Sequence, residues 1–168
     1  MATSLSATVK AAVSASYSNA LEFGSVVQSL QYNVANSFAD GTGADQAQKL
    51  WTDQRTLGVS ATEDLDLSGG VVDVFGTSLA FTKVKALVIK AAAGNTNDVV
   101  VGGAASNGLV TFFGAATDKV KVKPGGTLVL IAPDANGYAV TAATGDLLRV
   151  GNSAAGTSVT YDISVIGV

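Results

Sequence analysis

The sequence predicts an all-β protein, a β-sandwich of jelly-roll-like type preceded by an extended N-terminal arm or strand region. Three observations carry this. From Gln54 onward, apolar or alternating runs recur about every ten residues with turn signals between them. A long run of period two occupies the N-terminus. No helix-rich half and no parallel βαβ alternation interrupts the pattern. Residues 1–57 read as an arm and extended assembly region, and residues 58–168 as the sandwich domain.

In the arm, Leu5, Ala7, Val9, Ala11, Val13, Ala15 and Tyr17 alternate with Ser6, Thr8, Lys10, Ser14, Ser16 and Ser18, with Ala12 the one exception. Period two marks a strand with one buried face. The run is long beside the usual strand of about five or six residues. The Ala/Ser-rich stretch from Val9 to Ala20 also tolerates a helix. Val26, Val27, Leu30, Tyr32, Val34 and Phe38 form a second alternating segment, ending at Asp40-Gly41-Thr42-Gly43, a turn signal. Ala44 to Trp51 reads as a short helix.

In the second region the runs are Leu57 to Leu67, Leu79 to Ala92, Val99 to Val101, Leu109 to Phe113, Lys119 to Val122, Thr127 to Ile131, Tyr138 to Ala142, Leu147 to Val150 and Ser158 to Ile166. Gly- and Asn-rich turns separate them, such as Ser68-Gly69-Gly70, Pro124-Gly125-Gly126 and Asp134-Ala135-Asn136-Gly137. Val71 to Phe75 reads as one helical turn or a short edge strand. Eight or nine strands in about 110 residues suit a jelly roll or related sandwich, with an immunoglobulin-like sandwich as the alternative.

Composition narrows the function. Charged residues make up 14 % of the 168, against about a quarter in a typical soluble domain. Free domains rely on mixed surface charge for solubility, so a small-residue, neutral surface suits a protein covered by neighbours. A robust secreted domain is the alternative. The chain has no Cys and no His. That removes disulfides, thiol nucleophiles, the commonest general base and the commonest transition-metal ligand. The net charge of −3 leaves no basic excess for phosphates, so no nucleic-acid partner is expected. No apolar run approaches the roughly 18–20 residues of a membrane helix, so no membrane partner is expected either. Met1-Ala2-Thr3-Ser4-Leu5 lacks a basic leader segment, which predicts synthesis in a cytoplasm without a signal peptide.

Few groups are placed for chemistry. No Ser stands in a Gly-x-Ser-x-Gly elbow, and the paired glycines form no phosphate loop. Glu63-Asp64-Leu65-Asp66 is the densest acidic patch, with Asp64 and Asp66 on one strand face. Such a pair can serve a glycosidase only across a cleft with aromatic platforms, and Trp51 and four Tyr are dispersed. A solvated strand face, or a contact with a basic neighbour, fits better. Asp134-Ala135-Asn136-Gly137 resembles the first half of a calcium loop but lacks its closing acidic ligand, and Asp40-Gly41-Thr42-Gly43-Ala44-Asp45 also offers oxygens to a cation. An Asx-Gly turn accounts for the first without metal. Lys119, Lys121 and Lys123 share one face around Val120 and Val122, and Lys83 and Lys85 repeat this around Val84. They read as an edge guarded by lysines, as a positive stripe facing an acidic partner, or as both. The expectation is a non-enzymatic chain with no cofactor, no metal and no small-molecule substrate.

Residues 50–168 resemble the small β-sandwich virion structural proteins of tailed bacteriophages, of the head decoration or cement type. The likeness lies in Leu50-Trp51-Thr52-Asp53-Gln54-Arg55-Thr56-Leu57, Glu63-Asp64-Leu65-Asp66-Leu67, Phe81-Thr82-Lys83-Val84-Lys85-Ala86-Leu87 and Val100-Val101-Gly102-Gly103. It continues in Pro124-Gly125-Gly126, Gly137-Tyr138-Ala139-Val140, Gly145-Asp146-Leu147-Leu148 and the closing Ile163-Ser164-Val165-Ile166-Gly167. The resemblance is one of phrase order and leaves the N-terminal region uncovered. It implies a homotrimer or similar symmetric unit on the capsid surface of a virion, bound where major capsid proteins meet. The arm would then pair with a neighbour's sheet, with Leu5, Val9, Val13 and Tyr17 as anchors. A tail-associated adaptor and a carbohydrate-binding sandwich are the alternatives. A tail-tube protein would carry a helix beside its sandwich, and only Ala44 to Trp51 offers one.

Overall fold

The computed structural model describes residues 4–168. Met1, Ala2 and Thr3, on which part of the leader reading rests, lie outside the described residues. The described chain is all-β. Its strands are β1 (Ala7–Leu21), β2 (Gly24–Asp40), β3 (Gln46–Ala47), β4 (Lys49–Leu57), β5 (Thr62–Asp66), β6 (Ser68–Val72) and β7 (Ser78–Ala80). They continue with β8 (Lys83–Ala91), β9 (Val99–Gly102), β10 (Lys119–Val122), β11 (Thr127–Ile131), β12 (Tyr138–Ala139), β13 (Leu147–Asn152) and β14 (Val159–Gly167).

Two sheets build the sandwich. One has the order β10-β9-β13-β5, and the other β11-β8-β14-β4, with β12 also paired to β8. Set side by side, the two orders match position by position. The partners β4 and β5, β8 and β9, β10 and β11, and β13 and β14 are each consecutive along the chain. At each of these pairs the chain crosses from one sheet to the other.

Alternation explains why these residues form strands around one core. On β14, Tyr161, Ile163 and Val165 are buried, as are Leu87 and Ile89 of β8, Val99 and Val101 of β9, and Leu148 and Val150 of β13. Each fully buried Val, Leu or Ile contributes about 1.5–3 kcal/mol against its exposed state. The most polar member of the core is Tyr161, whose hydroxyl donates to Glu63 Oε1 at 2.6 Å. Glu63 Oε2 accepts from Arg55 at 2.7 Å, and Arg55 also pairs with Asp53 at 2.9 Å. Tyr161 and Arg55 belong to one sheet and Glu63 to the other, so this cluster ties the sheets along the β4–β5 edge. Burial and the Glu63 bond push the Tyr161 hydroxyl well above the usual tyrosine range.

Several expectations are corrected. Ala44 to Trp51 is not a helix: β4 pairs with β14 from Lys49 to Leu57, and Trp51 is buried. A helix would forfeit that ladder and the burial of Trp51. The same pairing draws residues 49–57 into the sandwich rather than the arm. Leu109 to Phe113 is not a strand. It packs on the sandwich core, with Leu109 buried and Phe112 tilted against Phe113 and edge-on to Tyr138, at 4.8 and 5.4 Å. After the left-handed Asn107 it makes an isolated bridge, Gly108↔Leu147, and then turns away. Leu79 to Ala92 divides into β7 and β8 at Phe81-Thr82, and Val71 falls in a short strand pair with β7.

The turn before β13 is held by a carboxylate. Asp146 is buried, and its Oδ2 accepts from Ser68 Oγ and from the amide of Ala143, both at 2.7 Å. Ala143 is left-handed, at φ 63°. The Ser68 bond above all holds the Asp146 carboxyl below the usual carboxylate range. The charged form is therefore favoured by folding. Its contribution is complete above the ordinary aspartate pKa of about 4 and is lost as pH falls through the lower folded-state value. Melting temperatures from pH 7 to pH 2 should show Asp146→Asn below wild type at neutral pH, with the gap closing in acid. A constant gap would show that Asp146 does not couple folding to pH.

Candidate assembly interface

The arm is a two-stranded ribbon. β1 and β2 pair antiparallel without interruption from Ala7↔Phe38 to Leu21↔Gly24, joined by Glu22 and Phe23. Fifteen residues at about 3.4 Å each give a length near 50 Å. Every residue from Lys10 to Asn33 is exposed. The N-terminal run is therefore one half of a hairpin, and it does not stand free as a lone strand. The helix alternative for Val9 to Ala20 is excluded by the same ladder.

Residues opposite one another in an antiparallel pair share a face. One face of the ribbon carries Val13 with Tyr32, Ala15 with Leu30, Tyr17 with Gln28, Asn19 with Val26, and Leu21. The other carries Lys10, Ser14 with Gln31, Ser16 with Ser29, and Ser18 with Val27. The ribbon is amphipathic, and beyond Lys10 its apolar face is bare: Tyr17 is 77 % exposed and Tyr32 60 %. At the tip Phe23 is 98 % exposed.

At its root the same apolar face is covered. Val9 and Phe38 are buried in a second cluster with Ala47, Ala86 and Ile166, against which Leu5, Ala7, Val88, Val129 and Ile131 pack. This cluster lies on the outer side of the sheet that contains β8, β11 and β14. Of the four expected anchors, Leu5 and Val9 thus pack on the chain's own body, while Val13 and Tyr17 project on the free ribbon. Val26, Leu30 and Tyr32 complete the apolar face and were not among the expected anchors. Their shared phase with the first run was the available signal.

A buried ammonium pins the root. Lys85 is fully buried, and its Nζ donates to the carbonyl of Gly43 at 3.1 Å and to that of Asp134. The two loops that offered oxygens to calcium are therefore drawn around the chain's own cation. Asp134 Oδ1 is occupied as a turn cap, accepting from the amides of Asn136 at 2.7 Å and Gly137 at 3.1 Å. Among the described residues no group of three or more acidic side chains is placed to hold a metal ion. Lys85 leaves the expected lysine stripe because β8 carries an extra residue there: Ile166 pairs with Ala86, but Gly167 pairs with Val84. The phase changes at this bulge. Val84 joins the core, and Lys83 reaches the carbonyl of Ala135 at 2.9 Å. Burial lowers the Lys85 pKa, with Asp134 and Asp45 acting against the fall.

The remaining charged candidates divide. Lys119 and Lys121 lie on β10, at the end of its sheet's strand order, and are exposed, whereas Lys123 pairs with Asp98 at 2.8 Å. Lys119 and Lys121 line a shallow groove with Arg149, Val100 and Gly102. Asp64 is held by a two-pronged bond from Arg149, 2.7 Å on each side. Asp66 Oδ1 accepts from the amide and the hydroxyl of Ser68 at 2.7 and 3.0 Å, so the acidic patch is engaged within the chain. Trp51 is buried and Tyr161 wholly so, which removes both from any sugar-stacking surface. Among the described residues no helix is long and apolar enough to cross a membrane.

No protein-family model, no curated protein and no solved structure matches the chain.

Lys85→Met removes the buried donor shared by the carbonyls of Gly43 and Asp134. Each lost bond contributes about 0.5–1.5 kcal/mol, partly offset by losing a buried charge, so a net loss of about 1 kcal/mol is expected in urea unfolding. Amide exchange should quicken at Asp45, which donates to Pro133 at 2.7 Å, and stay slow on β14. Unchanged stability together with unchanged exchange would refute the pinning role.

Proposed function

We propose that the chain is a structural virion protein that decorates and stabilises the capsid of a tailed phage, bound as a homotrimer where major capsid proteins meet. The observation that carries this reading is the ribbon: about 50 Å long, rooted on a sandwich, with an apolar face left bare beyond Lys10. Isolated two-stranded ribbons are marginal in water, and large exposed apolar patches mark interaction sites. The resemblance of residues 50–168 to head decoration proteins supplies the setting. The matched strand orders of the two sheets support the jelly-roll reading, in which successive strands wrap between sheets. Exposed Lys119 and Lys121 offer a second, electrostatic contact to an acidic capsid surface.

The mechanism is mass action. A protein that binds the closed shell and not its separated subunits stabilises the shell by RT ln(1 + [L]/Kd) per site, about 2.7 kcal/mol at a hundredfold excess over Kd. Many copies multiply a modest contact. No catalysis enters the reading. The nearest carboxylates, Glu63 and Asp64, are engaged by Tyr161, Arg55 and Arg149.

The test is co-sedimentation of the purified chain with empty heads of the phage that encodes it, with gold-labelled antibody on intact virions. Saturable binding, label on heads and a higher shell melting temperature are expected. Replacing residues 12–33 with an Asn-Gly turn keeps the root and removes the free ribbon, and should abolish most binding. Label confined to tails, or no binding at all, would overturn the capsid reading.

A further inference from the structure

We propose that the bare apolar face of the ribbon is covered by the same faces of the other copies of this chain in the homotrimer, the ribbons packing with their apolar faces turned inward on one another. This rests on reading the ribbon as an assembly surface, and it names the partner. Four observations point to a second copy.

The first is area. Val13, Tyr17, Leu21, Val26, Leu30 and Tyr32 are each between 46 and 77 % exposed. Together they offer on the order of 600–700 Å² per chain, close to the roughly 800 Å² per partner of a standard specific interface. The second is charge. The free face carries no charged side chain from Ala11 to Leu21 on β1 or from Gly24 to Val34 on β2. Two copies can therefore approach with no like charges opposed and no ion to desolvate. Lys10, the one basic residue of the free ribbon, projects from the opposite face.

The third is shape. Large and small residues alternate along the β1 side of the face, Ala11, Val13, Ala15, Tyr17. Such a surface interdigitates with its own copy, as facing sheets do about 10 Å apart. The fourth is continuity. The root of this same face is already buried against a sheet, through Val9 and Phe38. Elsewhere the outer side of that sheet presents Gln54, Thr56, Lys90, Thr160 and Asp162, which suit no apolar partner. Among large exposed apolar residues of the described chain, eight of fifteen lie on the ribbon or its tip. The apolar match that one copy can offer another is therefore chiefly the ribbon itself.

The experiment is light scattering of the full chain at about 1–100 μM, with two variants that each add one positive charge on opposite faces. Wild type should be a closed oligomer. Leu30→Lys, on the apolar face, should shift its dissociation at least about 100-fold toward monomer, as buried unpaired charge at an interface does. Ser18→Lys, on the polar face, should leave the oligomer intact. Both sites are exposed, and matching melting curves would confirm that the sandwich folds in each variant. A monomeric wild type at 100 μM would overturn the proposal, as would equal behaviour of the two variants. Head co-sedimentation reads the capsid assignment separately: a monomer that still binds heads would leave that assignment standing and give the ribbon to the capsid instead.

Discussion

Everything the ribbon can do depends on how its root is held. A hairpin of this length gains little stability from its own ladder, so its direction is set where Val9 and Phe38 enter the outer side of the sheet. The Lys85 ammonium closes that joint. It sits in a fully buried position, bound to carbonyls from the loop after β2 and the loop after β11. Burying an ammonium is costly unless its protons are bonded, and here two separate loops must be in place for that to happen. The charge therefore links the loop at the arm's root, the bulge on β8 and the Asp134 turn through one group.

Much of this was legible in the sequence. Strands β10 and β11 fall on the expected runs, and β14 is displaced by one residue. Period two, Val/Thr/Ile content and glycine punctuation suffice where one face is buried and the turns are short. The errors share a cause, since each arises where tertiary packing overrides local pattern. Trp51 looks helical among Ala, Gln and Lys, yet its place is fixed by β14, more than a hundred residues away. Phe112 and Phe113 look like strand residues and instead pack on the sandwich core. Lys85 keeps perfect alternation with Lys83 in the sequence, and only the pairing of Gly167 with Val84 reveals the phase change.

The candidate interface was half visible. Both alternating segments of the arm were evident, but not that they pair. Hairpins usually announce themselves by Asn-Gly or Asp-Gly at the turn, and here the connection is Glu22-Phe23, with Gly24 taking the positive φ just after it. Without that signal the first segment looks like a lone strand seeking a foreign sheet. Once paired, its hydrogen-bonding edge toward β2 is used, and what remains on offer is its outer edge and a face. The acidic and basic patches show the converse. Asp64 and Lys123, read as surface charge for a partner, are matched within the chain by Arg149 and Asp98.

The two-residue period of the ribbon also governs how its length can change over descent. Removing one residue from a single strand would turn every side chain beyond the cut to the other face, exchanging serines for tyrosine and leucine. Removing two residues from each strand shortens the ribbon by about 7 Å and preserves both faces. Kindred chains with shorter or longer arms are thus expected in steps of four residues. The apolar face behaves as a graduated scale, on which reach can be adjusted without losing its chemistry.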